Sequence, residues 1–223
     1  MAGMDQRVAV IGRGRVGGAF AQRLADGGML ADEIGDADVV LLCVPDAAIA
    51  DVARSIAPGP WVAHVSGATP LARLDPHHRR FSLHPLQTFT RARGPEQIDG
   101  AWGAVTAADE DARNRAYELA AALGLRAFDL ADDRRVTYHA GAVMASNFLV
   151  TLYRSSARAL ATAGVPPEAL IPLMTRTIEN GFDLTGPIAR GDWATVDAHL
   201  GALARELPDL EPVYRALAEA TRP

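Results

Sequence analysis

The chain has 223 residues, 49% of them hydrophobic, and a net charge of −5. That suits one large domain or two small ones with ample core, and the acidic balance argues against a nucleic-acid binder, which needs a basic face. No apolar run reaches membrane-spanning length and the start lacks a signal-peptide pattern, so a cytoplasmic protein without a membrane segment is expected.

The single cysteine, Cys43, excludes an internal disulfide. It lies inside Val39-Val-Leu-Leu-Cys-Val44 and reads as a small buried hydrophobe rather than a reactive thiol. There is no lysine, and all 22 basic residues are arginine. Arginine is too basic to shuttle protons at neutral pH, so proton chemistry must fall to His, Tyr, Asp, Glu or water.

The first element is a buried strand at Arg7–Ile11, running into Gly12-Arg-Gly-Arg-Val-Gly17 and then a helix at Val16–Ala25. This G-x-G-x-x-G turn between strand and helix is the fingerprint of a dinucleotide-binding unit. Gly12 permits the tight turn, Gly14 lets a diphosphate approach the backbone, and Gly17 lets helix and strand pack closely. The free N–H groups at the helix start attract phosphate. Gly12, Arg13, Gly14, Arg15, Val16 and Gly17 are therefore candidate cofactor-binding residues. Arg13 and Arg15 either grip phosphate or are simply solvated.

Val39–Val44 reads as a second strand buried on both faces, followed by a helix at Ala47–Ile56 and the break Pro58-Gly59-Pro60. Trp61–Ser66 reads as a third strand. Pro70–Leu74 and the basic stretch His77-His78-Arg79-Arg80 read as irregular, solvated chain. Phe81–His84 is a short strand, Pro85–Gly94 a loop, and Gly103–Ala107 a strand. Asp109–Leu123 is an amphipathic helix capped by Gly124, and Leu125–Leu130 is a last strand. Alternating strands and helices imply a mostly parallel, doubly wound sheet.

After Asp132-Asp133 strand signals stop. Tyr138–Ala163, Glu168–Glu179, Trp193–Glu206 and Pro212–Ala220 read as helices, with a turn-rich connection at Thr185–Asp192. The fold class is thus α/β: a shortened Rossmann-like domain at 1–133, then an all-α domain at 134–223. The long helix, apolar at Ala140, Val143, Met144, Phe148 and Leu152, serves either as a dimer face or as packing within its own chain.

The first domain is shortened because only Met29–Asp38 separates the glycines that end the first helix from the next apolar strand. A crossover with its helix takes at least roughly 10–12 residues, so the strand that normally carries the adenine-ribose carboxylate has no room. Asp32 and Glu33 fall at about the right distance downstream but end no strand, and read as solvated turn residues. The segment that discriminates NAD from NADP is missing.

In order along the chain, Gly12-Arg-Gly-Arg-Val-Gly17, Ala37-Asp-Val-Val-Leu-Leu-Cys-Val-Pro-Asp46, His64-Val-Ser-Gly67, Leu83-His-Pro-Leu-Gln-Thr-Phe89, Tyr138-His-Ala140 with Asn147, and Leu184-Thr-Gly-Pro-Ile-Ala-Arg-Gly-Asp192 resemble bacterial Rossmann-like proteins with a C-terminal DUF2520 domain. These belong to the wider 6-phosphogluconate dehydrogenase-like group, beside ketopantoate and pyrroline-5-carboxylate reductases. The resemblance implies an NAD(P)-binding domain, a helical domain that often forms homodimers, and reduction of a small keto acid as one suggested activity.

The carboxyl ends of the inner strands are where doubly wound sheets hold ligands. Val44 and Pro45 end one such strand, and the resemblance places them near the nicotinamide ribose. Ser66 and Gly67 end the next: Ser66 as a hydrogen-bond donor or an ordinary turn residue, Gly67 as a point of close ligand approach. His84 projects at the same edge. His139 and Asn147 stand eight residues apart on the long helix, which puts them on one face. In β-hydroxyacid dehydrogenases an equivalent helix carries a lysine and an asparagine one turn apart; here Val143 takes the lysine-like position. His139, His84 and Asn147 are the candidate catalytic residues, with a histidine as general acid and Asn147 orienting the carbonyl. A structural hydrogen bond is the alternative for each histidine, and Tyr138 is a further donor or plain core. Arg190 either clamps a carboxylate or pairs with Asp192 or Asp183. No spacing suggests a metal.

The reading is a nicotinamide-dependent oxidoreductase, using NADP or NAD to reduce a small carbonyl or imine substrate. The alternative is a non-catalytic nucleotide- or phosphate-ligand-binding regulatory dimer.

Overall fold

The computed structural model describes residues 6–222. The chain packs as two compact units, divided between Val143 and Met144.

The first unit is built on a six-stranded sheet in the order β1 to β6: β1 Val8–Ile11, β2 Val39–Leu42, β3 Trp61–His64, β4 Arg80–Leu86, β5 Trp102–Ala107 and β6 Arg126–Asp129. All neighbours pair in parallel except β4 and β5, which are antiparallel. Helices α1 (Arg15–Asp26), α2 (Ile49–Ser55), α3 (Glu110–Leu123) and α4 (Arg135–Val143) complete the unit.

Side chains alternate across a strand, so the uninterrupted apolar run of β2 feeds two cores. Val39 and Leu41 join Phe20, Leu24, Phe81, Leu83, Leu119 and Leu123 on the face covered by α1 and α3. Val40 and Leu42 join Ile49, Ala53, Val62, Leu71 and Leu74 on the face covered by α2. A strand buried on both sides has no polar face to show, as the sequence pattern implied.

The missing strand has left a trace. Leu30 forms a single parallel bridge with Val8 on the outer side of β1: Val8 donates to the Met29 carbonyl at 2.8 Å, and Ala31 to the Val8 carbonyl at 2.9 Å. The chain then turns away through the exposed residues Asp32 and Glu33.

Three local expectations need correction. Strand β4 does not stop at His84 but runs on through Pro85 to Leu86, pairing Pro85 with Gly103 and Leu86 with Trp102. Its pairing with β3 ends at Ser82, so Pro85 sits where β4 has a neighbour on one side only, a position at which a missing N–H is tolerated. Leu71–Leu74 is a turn of 3-10 helix that seals the second core. In the basic stretch, His77 is buried and its Nε2 lies 2.8 Å from the Ala53 carbonyl; only part of that segment is solvated.

The division after Val143 arises because α4 opens with Arg135, whose side chain is fully buried in the first unit. The long helix expected from Tyr138 is composite: α4, a π-helical segment Met144–Phe148, and α5 Leu149–Thr162.

The second unit is helical: the π segment, α5, α6 (Leu170–Glu179), the short α7 (Gly186–Ala189), α8 (Trp193–Glu206) and α9 (Glu211–Ala220). Asp192 caps α8 by accepting from the Thr195 N–H at 3.1 Å, a standard N-cap, and Arg158 pairs with Asp209 at 2.7 Å. Its core is small, with Val196, Leu200 and Ala218 buried against Ile188 and Tyr214. Phe148, Ile171, Leu173, Ile178 and Phe182 are each more than half exposed. Among the described residues, no helix is long and apolar enough to cross a membrane.

Candidate active site at the carboxyl edge of the sheet

The three glycines of the first turn do different work. Gly12 has φ +93°, and a Cβ there would collide with the Cys43 carbonyl. A Cβ on Gly17 would run into the Gly12 carbonyl and stand 2.7 Å from the Cys43 Cβ. Both glycines are demanded by the packing of α1 on β1 and β2. Gly14 is not: its φ of −70° suits any residue, and a Cβ there would meet no protein atom within 4 Å.

Gly14 is also the N-cap of α1 and offers no capping side chain, and no acidic residue stands in the first turn. No side chain caps the first N–H groups of this twelve-residue helix, whose positive end begins at the exposed Gly14 and Arg15. Arg13 and Arg15 are exposed. They line a cavity of about 260 Å³ with Gly14, Gly18, Thr90 and Arg91. Cys43 lies beneath, and burial pushes its thiol up to about 12 against the pull of Arg13. It is a packing residue.

At the ends of β2 and β3, Val44 is half-buried while Pro45 and Asp46 are exposed. The Ser66 hydroxyl donates to Asp46 Oδ2 at 2.8 Å and accepts from the Thr69 N–H at 3.0 Å and the Thr69 hydroxyl at 2.9 Å. That hydroxyl is committed to holding the turn. The close approach at Gly67 is made by the chain itself: the space a Cβ would occupy is filled by His139 Nδ1 and, at 2.9 Å, by His84 Nε2.

Strand β4 and helix α4 thus bring His84, Tyr138 and His139 together. Tyr138 Oη lies 2.7 Å from His84 Nδ1. The His84 ring meets Tyr138 edge to face at 5.5 Å and His139 at 5.8 Å. Burial pushes His84 down to about 4, helped by His139 and Arg135 and opposed by Asp46. Burial likewise pushes Tyr138 up to about 12, with Arg135 pulling the other way. His139 Nδ1 is buried without a hydrogen-bond partner.

Two residues of this region carry no functional signal in the sequence reading. His64 is fully buried at the end of β3 and accepts the Ser66 N–H on Nδ1 at 3.2 Å. Burial, then Arg135 and His84, push it down to about 3. Arg135 donates to the Ser66 carbonyl and to the Thr106 hydroxyl, the latter at 2.7 Å, with Asp132 4.0 Å away. A histidine interrupting an apolar strand was the one available clue to His64; nothing in Asp132-Asp-Arg-Arg135 marks the last arginine for burial.

Asn147 belongs to the second unit, exposed in its π segment, where its Oδ1 accepts from the Ser146 hydroxyl at 3.3 Å. The eight-residue spacing from His139 placed both on one face by assuming an unbroken 3.6-residue period. The π segment breaks that period, so the spacing argument lapses.

A family profile described as "Domain of unknown function (DUF2520)" matches residues 101–221. The chain belongs to the DUF2520 family. No curated protein matches it. Among solved structures, the chain is similar to a "putative NADP oxidoreductase" from Bacteroides fragilis, with 21% identity, 97% of each chain covered and a TM-score of 0.79. It is similar to a semialdehyde dehydrogenase NAD-binding protein from Cupriavidus necator solved with calcium and NAD, at 19% identity, 96% of this chain and 99% of the other, TM-score 0.64. It is also similar to the 1-pyrroline-5-carboxylate reductase of Streptococcus pyogenes, at 16% identity, 96% of each chain, TM-score 0.64. At these identities the likeness establishes that this DUF2520 member has the Rossmann-like fold.

Proposed function

We propose that the protein is an NAD(P)-dependent oxidoreductase that reduces a small carbonyl or imine compound. The observation that carries this reading is Gly14. Neither its backbone angles nor its neighbours require a glycine. A ligand lying against the main chain does, and three uncapped N–H groups with two flanking arginines suit a diphosphate. Structural neighbours named as an NADP oxidoreductase, a semialdehyde dehydrogenase NAD-binding protein and a 1-pyrroline-5-carboxylate reductase support the coarser class, an NAD(P)-dependent oxidoreductase.

The Gly12–Gly17 turn would hold the diphosphate, and Val44 and Pro45 would flank the nicotinamide ribose. The cofactor supplies hydride, as NADPH or NADH. This chain's residues have the remaining tasks. The turn orients the cofactor, and the half-buried His84–Tyr138–His139 group hands a proton to the oxygen or nitrogen that gains charge. Asn147 is the further candidate for orienting substrate.

The exposed apolar surface of the second unit supports a homodimer. A helical unit with so small a core gains by burying that surface against a second copy of itself.

Titration with NADH and with NADPH, followed by nicotinamide fluorescence, tests the reading. Saturable binding of either is expected, and failure of both at millimolar concentration overturns it. The single-residue bridge at Leu30 favours a second reading, a regulatory dimer that binds a nucleotide or phosphate ligand without turnover. Binding with no oxidation across a panel of small carbonyl and imine compounds would select it.

A further inference from the structure

Resting on the reductase reading, we propose that His84 is the catalytic proton donor and Tyr138 the positioning residue that fixes its tautomer and recharges it.

Tyr138 Oη and His84 Nδ1 are 2.7 Å apart. A phenol is a better donor than acceptor, and an imidazole nitrogen bearing a lone pair is a strong acceptor. With the phenol donating, Nδ1 is bare and the one ring hydrogen of neutral His84 is on Nε2. That nitrogen has no hydrogen-bond partner among the described residues, and it is absent from the fully buried unpartnered atoms that include His139 Nδ1. It packs over Gly67 yet is not fully buried, and its hydrogen is left for an incoming group at the carboxyl edge of β4.

His84 is held neutral by its surroundings. The groups facing it are Tyr138, His139 and Arg135 from α4 and Asp46 from the end of β2. Burial is the largest influence and pushes His84 down, His139 and Arg135 act in the same direction, and Asp46 opposes them. A neutral N–H can still polarise a carbonyl or imine strongly.

The proton inventory closes. As the substrate oxygen or nitrogen gains an electron pair, the Nε2–H bond of His84 breaks and an O–H or N–H bond forms on substrate. The Tyr138 O–H bond breaks and an N–H bond forms at Nδ1. His84 ends neutral in the opposite tautomer and Tyr138 ends as phenolate, which Arg135 stabilises by its charge until solvent returns the proton. His139 shapes the pocket and its Nδ1 packs over Gly67.

Nitrogen-15 NMR of the ligand-free protein, with His84 signals assigned by their loss in His84→Gln, tests this apart from any activity. The expected result is a bare, pyridine-like Nδ1 and a protonated, pyrrole-like Nε2 at neutral pH. In Tyr138→Phe, which keeps the ring contacts with His84 and Phe128, His84 should become a mixture of tautomers. His84 carrying its hydrogen on Nδ1, or an unchanged pattern in the Phe variant, would overturn the proposal and leave the cofactor reading standing. Where turnover is measurable, Tyr138→Phe should lower kcat about tenfold to a hundredfold with KM unchanged.

Discussion

Arg135 donates through Nη2 to the main-chain carbonyl of Ser66, a residue 69 positions earlier. One guanidinium thereby ties the first turn of α4 to the end of β3, and its other arm reaches Thr106 on β5. Ser66, whose carbonyl it holds, also donates its N–H to His64 Nδ1.

Arg135→Met should therefore destabilise the first unit by about 3 kcal/mol. It strands the Ser66 carbonyl and the Thr106 hydroxyl in a buried setting and removes a packed side chain. Urea unfolding of the two proteins measures the difference; a loss under about 1 kcal/mol would show that the tie contributes little.

The glycines of the first turn should separate in their effects. Gly17→Ala brings a Cβ onto the Gly12 carbonyl and should cost about 2 kcal/mol or more in stability. Gly14→Val meets no protein atom; it should leave stability within about 1 kcal/mol and weaken NADPH and NADH at least about tenfold. Thermal melts and fluorescence titrations distinguish the two outcomes.

Stability should fall on mild acidification. His64 and His84 are pushed down to about 3 and about 4 in the fold, while the unfolded chain protonates histidine at about 6.5. Both groups have folded values below unfolded ones, so their contribution is complete above about 6.5 and is lost as pH falls toward 4 and then 3. With two protons taken up on unfolding, the slope approaches about 2.7 kcal/mol per pH unit below pH 6. Urea midpoints at pH 7.5, 6 and 5 measure it, and His64→Gln should flatten the curve.

In solution the protein should sediment as a dimer. Replacing Ile171 and Leu173, 53% and 63% exposed, by aspartate should shift it toward monomer by placing charge where apolar surface meets. A wild-type monomer at micromolar concentration would remove the homodimer.

Much of the fold was legible because it rests on local chemistry. Val39–Leu42 had to be doubly covered, Gly124 had to end α3 in the left-handed conformation it adopts at φ +82°, and the glycine turn announced itself by spacing alone. The composite helix was not legible, because i→i+5 bonding over Met144–Phe148 leaves no apolar period of its own. Nor was the Leu30 bridge, since one paired residue carries no alternation. In the site, His84 and His139 were visible as residue types. That both converge on Gly67 depends on contacts between segments distant in the chain: His139 is 72 residues from Gly67, and His84 is 54 residues from its partner Tyr138.

The solitary pairing of Leu30 with Val8 has one further consequence. With only one residue paired beside β1, the proposed site would leave the adenosine half of a dinucleotide without a strand to rest on, and the grip would fall on helix amides and the two exposed guanidinium groups of Arg13 and Arg15. Attraction of that kind is screened by dissolved ions over roughly 8 Å at physiological strength. Affinity for the coenzyme should then drop steadily as potassium chloride is raised, more steeply than in a relative whose adenine pocket is walled.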